Sequence, residues 1–287
     1  MAVQPGLIAD SDFRWSLSIV PSNDTIKLSS PDTSGFWEIP ILYEDENLLA
    51  LDKPAGLPVA PDAADPERAN LSELLHKGIE EAKPWATKRS LSFLRQAHRL
   101  DSEESGVLLL AKNKPVLTSL MNWFGSEQPG LSFITLVQGS PAENQFSTEA
   151  KIAPHPMKPD LMRVDARSGK RARSSFEVLE RFQDWTLLKC EPLTHRPQQI
   201  RVHLSRLGFR IAGDAAYGGK PLLLSRLKPG YHLKPNHSER PLIGKPCLHA
   251  ERLAIPHPMI GESLTITSPW PKDLLVAIKY LRKFAAA

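Results

Sequence analysis

Apolar runs bounded by polar turns predict a series of strands along the chain. A short alternating segment at 13–20 fits a strand. From Ile39 onward the apolar runs are more continuous, as in buried strands, and the first of them stops at a Pro-Ala-Gly turn. These runs predict strands at 48–54, 106–112, 132–139, 174–179, 186–191, 248–255 and 263–267.

Apolar residues at helical spacing predict four helices. Leucine and isoleucine recur between residues 71 and 79, after Asn70 or Ser72 as a candidate cap, and predict a helix to about residue 82. Pro115 suits the first turn of a second helix at 115–124. Gly208 ends a third helix at 199–207, and a closing helix is predicted at 272–284.

The order of these elements favours the α+β class. Strands and helices are mixed without the regular alternation of a parallel α/β fold. Residues 1–37 are rich in Ser, Asp and Pro and are predicted to form an N-terminal extension. Residues 38–287 are predicted to form one domain.

The charge of the chain is mild overall and concentrated in its middle. A net charge of +4 and a pI near 9.0 permit a polyanionic partner without requiring one. Between Ala150 and Arg210, thirteen Lys or Arg residues face six Asp or Glu residues. Within this region a basic strip offers candidate phosphate contacts, although such runs are often only solvated loops. The basic strip consists of Lys158, Arg163, Arg167, Lys170, Arg171 and Arg173.

Several classes of protein are disfavoured. The two cysteines are too few for a disulfide framework or a cysteine metal site, and the histidines lack a zinc-binding spacing. No secretory leader or apolar run of membrane-spanning length is seen, so we expect a cytoplasmic protein that is not inserted in a membrane. No metal, nucleotide or redox cofactor is predicted.

The segment AHRLDSEESGVLLLAK places a candidate reactive acid, Asp101, in a polar turn directly before a buried strand. A rigid strand holds such an acid while the turn leaves it accessible. From the residues alone, the favoured interpretation is that Asp101 closes a turn and pairs with Arg99.

Four segments, in order, resemble the RluA-type pseudouridine synthase family. HRLDSEESGVLLLAK is similar to its hallmark motif, and LLALDKPAGLPV to its Lys-Pro-Ala-Gly-Leu motif. QQIRVHLSRLGFRIAGDAAYGG and LHAERLAIPHP resemble two later motifs. The match runs from about Ile39 to Trp270, and it implies one catalytic domain with a mixed, largely antiparallel sheet crossed by an active-site cleft.

The resemblance also implies roles for individual residues. Asp101 would be the catalytic nucleophile, paired with Arg201, and Phe133 would stack on the base. Arg99 would enter the RNA helix where the target uridine leaves it. Further RNA contacts are assigned to His98, Lys53, Arg196, Arg163, Lys170, Arg171 and Arg173, and the base pocket to Leu100, Ile200 and Leu248.

The implied reaction breaks the bond between ribose and the uracil nitrogen, rotates the base and rejoins it through carbon five. Asp101 would either add covalently to the sugar or base, or remove a sugar proton to give a glycal. Both routes need an ionised carboxylate, which a neighbouring cation would favour. The implied partner is structured RNA, ribosomal or transfer, and we expect a monomer that does not bind DNA.

Three departures from the family pattern bear on activity. Phe133 stands where the family has a tyrosine, so the ring is kept and the hydroxyl is lost. Glu104 stands where threonine is usual and would raise the pKa of Asp101 if it points inward. The segment 194–201 keeps both arginines but replaces the Gly, Thr and His of the family motif.

Two alternatives to an active synthase follow from the residues. The departures would suit an RNA-binding or RNA-chaperone protein whose catalysis has decayed. A hydrolase of small nucleosides is less compatible with the basic strip, because a free nucleoside has no phosphate backbone.

Overall fold

A computed structural model describes residues 17–18, 24–30, 35–61, 65, 67–128, 130–233 and 237–287. The strands are β1 Leu17–Ser18, β2 Thr25–Ser30, β3 Gly35–Glu44, β4 Leu48–Lys53, β5 Arg95–Gln96, β6 Ser105–Ala111, β7 Leu131–Gln138, β8 Gln145–Glu149, β9 Ile152–His155, β10 Lys158–Val164, β11 Arg173–Arg181, β12 Trp185–Pro192, β13 Arg210–Ile211, β14 Leu248–Pro256 and β15 Ser263–Thr267. The helices are α1 Leu71–Glu80, α2 Pro84–Thr87, α3 Lys114–Gly125, α4 Gln199–Arg206, α5 Leu224–Leu227 and α6 Lys272–Phe284, with a 3₁₀ turn at Ala215–Tyr217.

Thirteen of the described strands form one sheet, whose main path runs β2-β3-β4-β6-β14-β7-β12-β11-β8. The β6–β14 and β1–β15 pairs are parallel, and the other pairings in the sheet are antiparallel. Strands β9 and β10 form a separate antiparallel hairpin. The structure therefore confirms the predicted α+β class with a mixed, largely antiparallel sheet.

The middle of the sheet is the most apolar part of the chain. Strand β6 buries six of its seven residues, and β4 buries five of six. At the edge, the polar strand β8 alternates between exposed and half-buried positions. Strand β6 lies in this apolar middle of the sheet, between β4 and β14. Neighbouring strands therefore hold the start of β6, which follows the Asp101 turn.

The helix boundaries follow from capping side chains. Asn70 accepts a hydrogen bond from the amide of Glu73 and begins α1, and Asn113 does the same for Val116 at the start of α3. The four predicted helices are confirmed, with ends that differ by no more than two residues from those predicted.

The predicted N-terminal extension falls partly inside the sheet. Residues Thr25–Ser30 pair with β3, and Ile26 and Leu28 belong to the hydrophobic core. The boundary predicted after residue 37 lies within β3. The strand predicted at 13–20 lies outside the described residues except for Leu17–Ser18, which pair with β15.

Candidate active site

Asp101 lies in a turn that several long-range contacts hold in place. The Asp101 turn, residues 101–104, is closed by a hydrogen bond from the Glu104 amide to the Asp101 carbonyl. The carbonyl of Ser102 accepts bonds from the Gly56 amide at 2.8 Å and from the Lys53 ammonium at 3.2 Å. The end of β4 and the loop that follows it therefore fix the backbone that carries Asp101.

Gly106 allows β6 and β14 to approach each other directly after this turn. Its φ of 105° lies in the left-handed region, and a Cβ there would meet the Ala250 carbonyl oxygen at 2.2 Å. The glycine in the motif thus keeps the Asp101 turn against β14.

The Asp101 carboxylate meets the start of α4. Its Oδ2 accepts a 2.7 Å hydrogen bond from the main-chain amide of Gln198. Gln198 caps the helix in a left-handed conformation, with φ 54°. Its side chain is fixed by bonds to the Asp160 carbonyl, the Met162 amide and the Tyr217 hydroxyl. These bonds hold the Gln198 amide on Asp101.

A second carboxyl group lies beside Asp101. Oε2 of Glu104 accepts a 2.8 Å hydrogen bond from the Asp101 amide, and the Glu104 residue is only 7% exposed. Burial, together with the negative charge of Asp101, raises the pKa of Glu104 to about 8. At neutral pH this acid therefore holds its proton.

Opposing effects act on the pKa of Asp101. Burial raises it, while the hydrogen bond from Gln198 and the positive charges of Arg99, Arg201 and Lys53 lower it, and the net direction is upward. The three cations favour a negative charge on Asp101, and that negative charge in turn disfavours a second one on Glu104. The ionised member of the pair is therefore Asp101.

Asp101 and Glu104 open onto a cleft that contains several predicted site residues. Arg99 is exposed at this cleft, and Phe133 of β7 is 4% exposed and lines it. The cleft is lined by Arg99, Asp101, Glu104, Leu131, Phe133, Pro192, Thr194, His195, Arg196, Gln199 and Ile200. The structure thus brings Asp101, Phe133, Arg99, Arg196 and Ile200 together.

The predicted pairing of Arg201 with Asp101 is wrong. The Arg201 guanidinium instead donates two hydrogen bonds to Asp214, at 2.8 and 2.7 Å, in a pair that is 7% and 1% exposed. It also lies over the Tyr217 ring, 4.9 Å from the centroid. Arg201 binds Asp214 rather than Asp101 because the Asp214 carboxylate accepts hydrogen bonds from both Nε and Nη2 of the guanidinium. Arg201 therefore affects Asp101 only through its charge.

Lys53 does not lie where RNA could contact it. The residue is 0% exposed, and its ammonium donates to the carbonyls of Pro54, Leu57 and Ser102 at 2.9, 2.8 and 3.2 Å. Burial lowers the pKa of Lys53 to about 8. Its predicted RNA contact is therefore wrong, and the side chain ties the loop after β4 to the Asp101 turn.

His98 is likewise a core residue. It is 8% exposed, its Nε2 accepts a hydrogen bond from the Leu109 amide, and its ring packs 4.9 Å from that of Phe124. Burial lowers the pKa of His98 to about 3, so the imidazole is neutral. A neutral, enclosed ring cannot serve as the RNA contact that was predicted.

The predicted base pocket is only partly reproduced. Ile200 lines the cleft, whereas Leu100 and Leu248 are 3% and 2% exposed and pack in the hydrophobic core. Leu248 pairs with Thr135 inside the sheet. Leu131 and Pro192 line the cleft instead, positions that the motif comparison did not mark.

Acidic neighbours partly neutralise the basic strip. Arg163 pairs with Asp165 at 2.7 Å, Arg171 with Glu149 at 2.8 Å, and Arg173 with Glu127 at 2.5 Å. Within the part of the chain that the structure describes, Lys170 makes no ion pair. Arg196, whose Nε donates to the Arg171 carbonyl, joins the strip to the cleft.

Besides Leu131 and Pro192, two polar groups that bear on Asp101 and Arg201 were missed by the sequence comparison. The Gln198 amide is a backbone donor, for which the residue type gives no signal. Asp214 was not predicted as the partner of Arg201, although it lies in the segment QQIRVHLSRLGFRIAGDAAYGG, which resembles a family motif.

The described residues contain no helix long and apolar enough to cross a membrane. They also contain no group of three or more His, Cys, Asp or Glu side chains arranged to hold a metal ion.

Comparison with known proteins agrees with the motifs. The RNA pseudouridylate synthase family model matches residues 47–206. An uncharacterized RNA pseudouridine synthase, YlyB, of Bacillus subtilis is 31% identical over 252 residues, which cover 86% of this chain and 74% of that protein. Ribosomal large subunit pseudouridine synthase D of Xanthomonas campestris is 32% identical over 247 residues, covering 86% and 70%.

Solved structures show the same fold. Human RNA pseudouridylate synthase domain containing 4 superposes with a TM-score of 0.62 at 22% identity, covering 84% of this chain and 92% of that one. The likeness confirms the predicted fold. Together with the family match and the two relatives, it shows that the chain belongs to the RNA pseudouridine synthases, which are isomerases.

Proposed function

We propose that this chain converts a uridine of large-subunit ribosomal RNA to pseudouridine, with the Asp101 carboxylate as nucleophile. The observation that carries the proposal is the position of Asp101, which lines the cleft while the Gln198 amide holds its Oδ2 at 2.7 Å. A carboxylate fixed in this way meets a substrate in one orientation, which lowers the entropic cost of attack.

The cleft supplies the other groups that the reaction needs. The target base must leave the RNA helix, because its glycosidic bond cannot be reached inside a stack. Arg99, which is exposed and lines the cleft with Asp101, would occupy the position that the base vacates. Phe133 offers a ring on which the extruded uracil would stack, and the apolar wall of Leu131 and Ile200 would retain it after the bond breaks.

Asp101 is suited to act as an anion. Partial burial removes water that would otherwise stabilise the carboxylate, and the neighbouring cations keep it charged. Both proposed routes, covalent addition and glycal formation, begin from this ionised group. In either one the carboxylate must contact the ribose or base of the extruded nucleotide.

The choice of ribosomal RNA rests on the relatives. Several that match over most of the chain are named ribosomal large subunit pseudouridine synthases C or D. The basic strip and Arg196 lie next to the cleft and would contact phosphates around the target. A cytoplasmic location, a monomeric state and a lack of DNA binding remain predictions.

The test uses purified protein and an unmodified transcript of large-subunit ribosomal RNA. After incubation, chemical mapping of pseudouridine should show one or a few modified positions, while free uridine should not be converted. Salt-sensitive binding without any product would instead support the decayed RNA-binding alternative. Turnover of free uridine would support the nucleoside hydrolase.

A further inference from the structure

The cleft holds a second acid for which the proposed role of Asp101 leaves no task. Glu104 lines the same cleft, is 7% exposed, and has its Oε2 bonded to the Asp101 amide at 2.8 Å. No hydrogen bond reaches its Oε1 from any residue that the structure describes. A buried carboxyl that bonds through one oxygen is available to a substrate through the other.

We propose that the Glu104 carboxyl carries the proton that isomerisation moves from C5 to N1 of the uracil ring. The inference rests on the proposed function, since it assigns a step of that reaction to a named group. Isomerisation breaks the N1–C1′ bond and forms a C5–C1′ bond. N1 must therefore gain a proton, and C5 must lose one.

One acid can perform both transfers in sequence. When the N1–C1′ bond breaks, its electron pair stays on N1, which takes the proton of Glu104 and leaves a carboxylate. After the base rotates and C5 bonds to C1′, the Glu104 carboxylate removes the C5 proton, and the C–H electron pair returns to the ring. Glu104 ends protonated, as it began, and no outside acid, base or redox partner is needed.

The geometry favours Glu104 because it is anchored to the nucleophile. Asp101 must contact the target nucleotide, and the Glu104 carboxyl is bonded to the amide of Asp101 itself. The two acids therefore reach the same nucleotide. The ring of Phe133, in the same cleft, has no exchangeable proton to offer.

The remaining cleft residues are less suited to carry a proton. Arg99 and Arg196 present only N–H donors to the cleft and no lone pair that could take up the C5 proton. Thr194 donates its hydroxyl proton to Gln199 at 2.7 Å. His195 is the one competitor among the cleft residues, and its ring packs edge-on against Phe124.

The protonation state of Glu104 matches this task. Burial and the charge of Asp101 raise the pKa of Glu104 to about 8, close to neutral pH, where proton transfer in both directions is efficient. Lys53 has its pKa lowered to about 8 as well and titrates in the same range. Among the described residues, the charges of Asp101, Lys53 and Arg201 act on Glu104, and the other charged or titratable residues that line the same cleft are Arg99, Arg196 and His195.

The experiment measures single-turnover pseudouridine formation on the large-subunit ribosomal RNA transcript, from about pH 6 to about pH 9.5. The wild-type rate should fall above about pH 8, as Glu104 loses its proton. Glu104→Gln keeps an oxygen for the Asp101 amide but cannot transfer a proton. It should lower the rate by roughly 100- to 10,000-fold and abolish the alkaline fall.

A second readout separates proton transfer from a structural role. In a transcript carrying deuterium at C5 of uridine, Glu104→Gln should show a normal isotope effect, because removal of the C5 proton becomes rate-limiting. Glu103→Gln, which removes one negative charge from the same turn, should keep the wild-type rate and isotope effect.

The outcomes are distinguishable. If the wild-type protein forms no pseudouridine, the proposed function fails and this role fails with it. If the wild type is active but its rate stays flat to about pH 9.5, or if Glu104→Gln matches it, this role alone is overturned. Retention of activity in Glu104→Gln, with loss of the C5 step in His195→Asn, would assign the proton to His195.

Discussion

The Gln198 amide and the Asp101 carboxylate, 97 residues apart in the sequence, meet through a 2.7 Å hydrogen bond. Gln198 caps the eight-residue helix α4, so Asp101 lies at the positive end of the helix dipole. Both the amide and the dipole favour the ionised carboxylate. Backbone groups of α4 therefore supply the direct hydrogen bond that the sequence had led us to expect from Arg201, whose charge still favours the ionised Asp101.

Removal of the Asp214 charge should destabilise the protein strongly. Asp214→Asn would leave the Arg201 guanidinium buried beside a neutral partner, and breaking a buried pair in this way costs about 3–5 kcal/mol. Urea unfolding measures the loss. Glu180→Gln, which breaks the exposed pair with Arg282, is the control and should cost less than about 1 kcal/mol. Equal effects would contradict the structural role of the Arg201–Asp214 pair.

Glu104 should make stability depend on pH. Its pKa is about 8 in the folded protein, against an ordinary value of 4.5, so between these values the folded state binds more protons than the unfolded state. The contribution of Glu104 to stability is therefore fully present below about pH 4.5 and is lost as the pH rises through about 8.

Glu104→Gln, which does not titrate, should gain stability relative to the wild type as the pH rises across this window. Urea unfolding of both proteins at about pH 5 and about pH 8.5 measures the change, with Glu103→Gln as the control for the loss of one charge. A difference between wild type and Glu104→Gln that stays constant with pH would show that Glu104 does not have a raised pKa.

Lys170 should contribute to RNA binding more clearly than the paired arginines of the basic strip. Because no acid in the described part of the chain neutralises it, Lys170→Ala should weaken binding and reduce the slope of log affinity against log salt by about 1. Titrations of the transcript at several KCl concentrations measure the slope.

Lys77→Ala provides the matched control for this titration. Lys77 is exposed on α1, which contacts β2 at the opposite end of the sheet from the basic strip. Its removal should leave the salt slope unchanged. An equal change in both variants would mean that the strip has no special part in RNA binding.

The elements that the sequence predicted well are those with a strong local signal. The continuous apolar run of β6 and the Asn113 cap of α3 fix those elements with little help from the rest of the chain. Strands β8, β9 and β10 were missed because they lie at the edge of the sheet or in a separate hairpin, where polar residues such as Gln145 and Lys158 replace apolar ones.

The site was predictable where chemistry depends on residue type, and less so where it depends on tertiary contacts. Asp101 and Phe133 could be located from motifs, and both line the cleft. The burial of Lys53 could not be foreseen, because a lysine at the end of a strand is ordinarily exposed. It is enclosed here because three carbonyls from two separate segments converge on its ammonium.

The most direct test of the account is pseudouridine mapping on the ribosomal RNA transcript with wild-type protein and Asp101→Asn. Asparagine keeps the shape of the side chain and an oxygen for the Gln198 amide, so folding and RNA affinity should be retained. The wild type should modify the transcript, whereas Asp101→Asn, assayed with Glu103→Gln as an active control, should form no pseudouridine. Product formation by Asp101→Asn at the wild-type rate would contradict the assignment of Asp101 as the nucleophile.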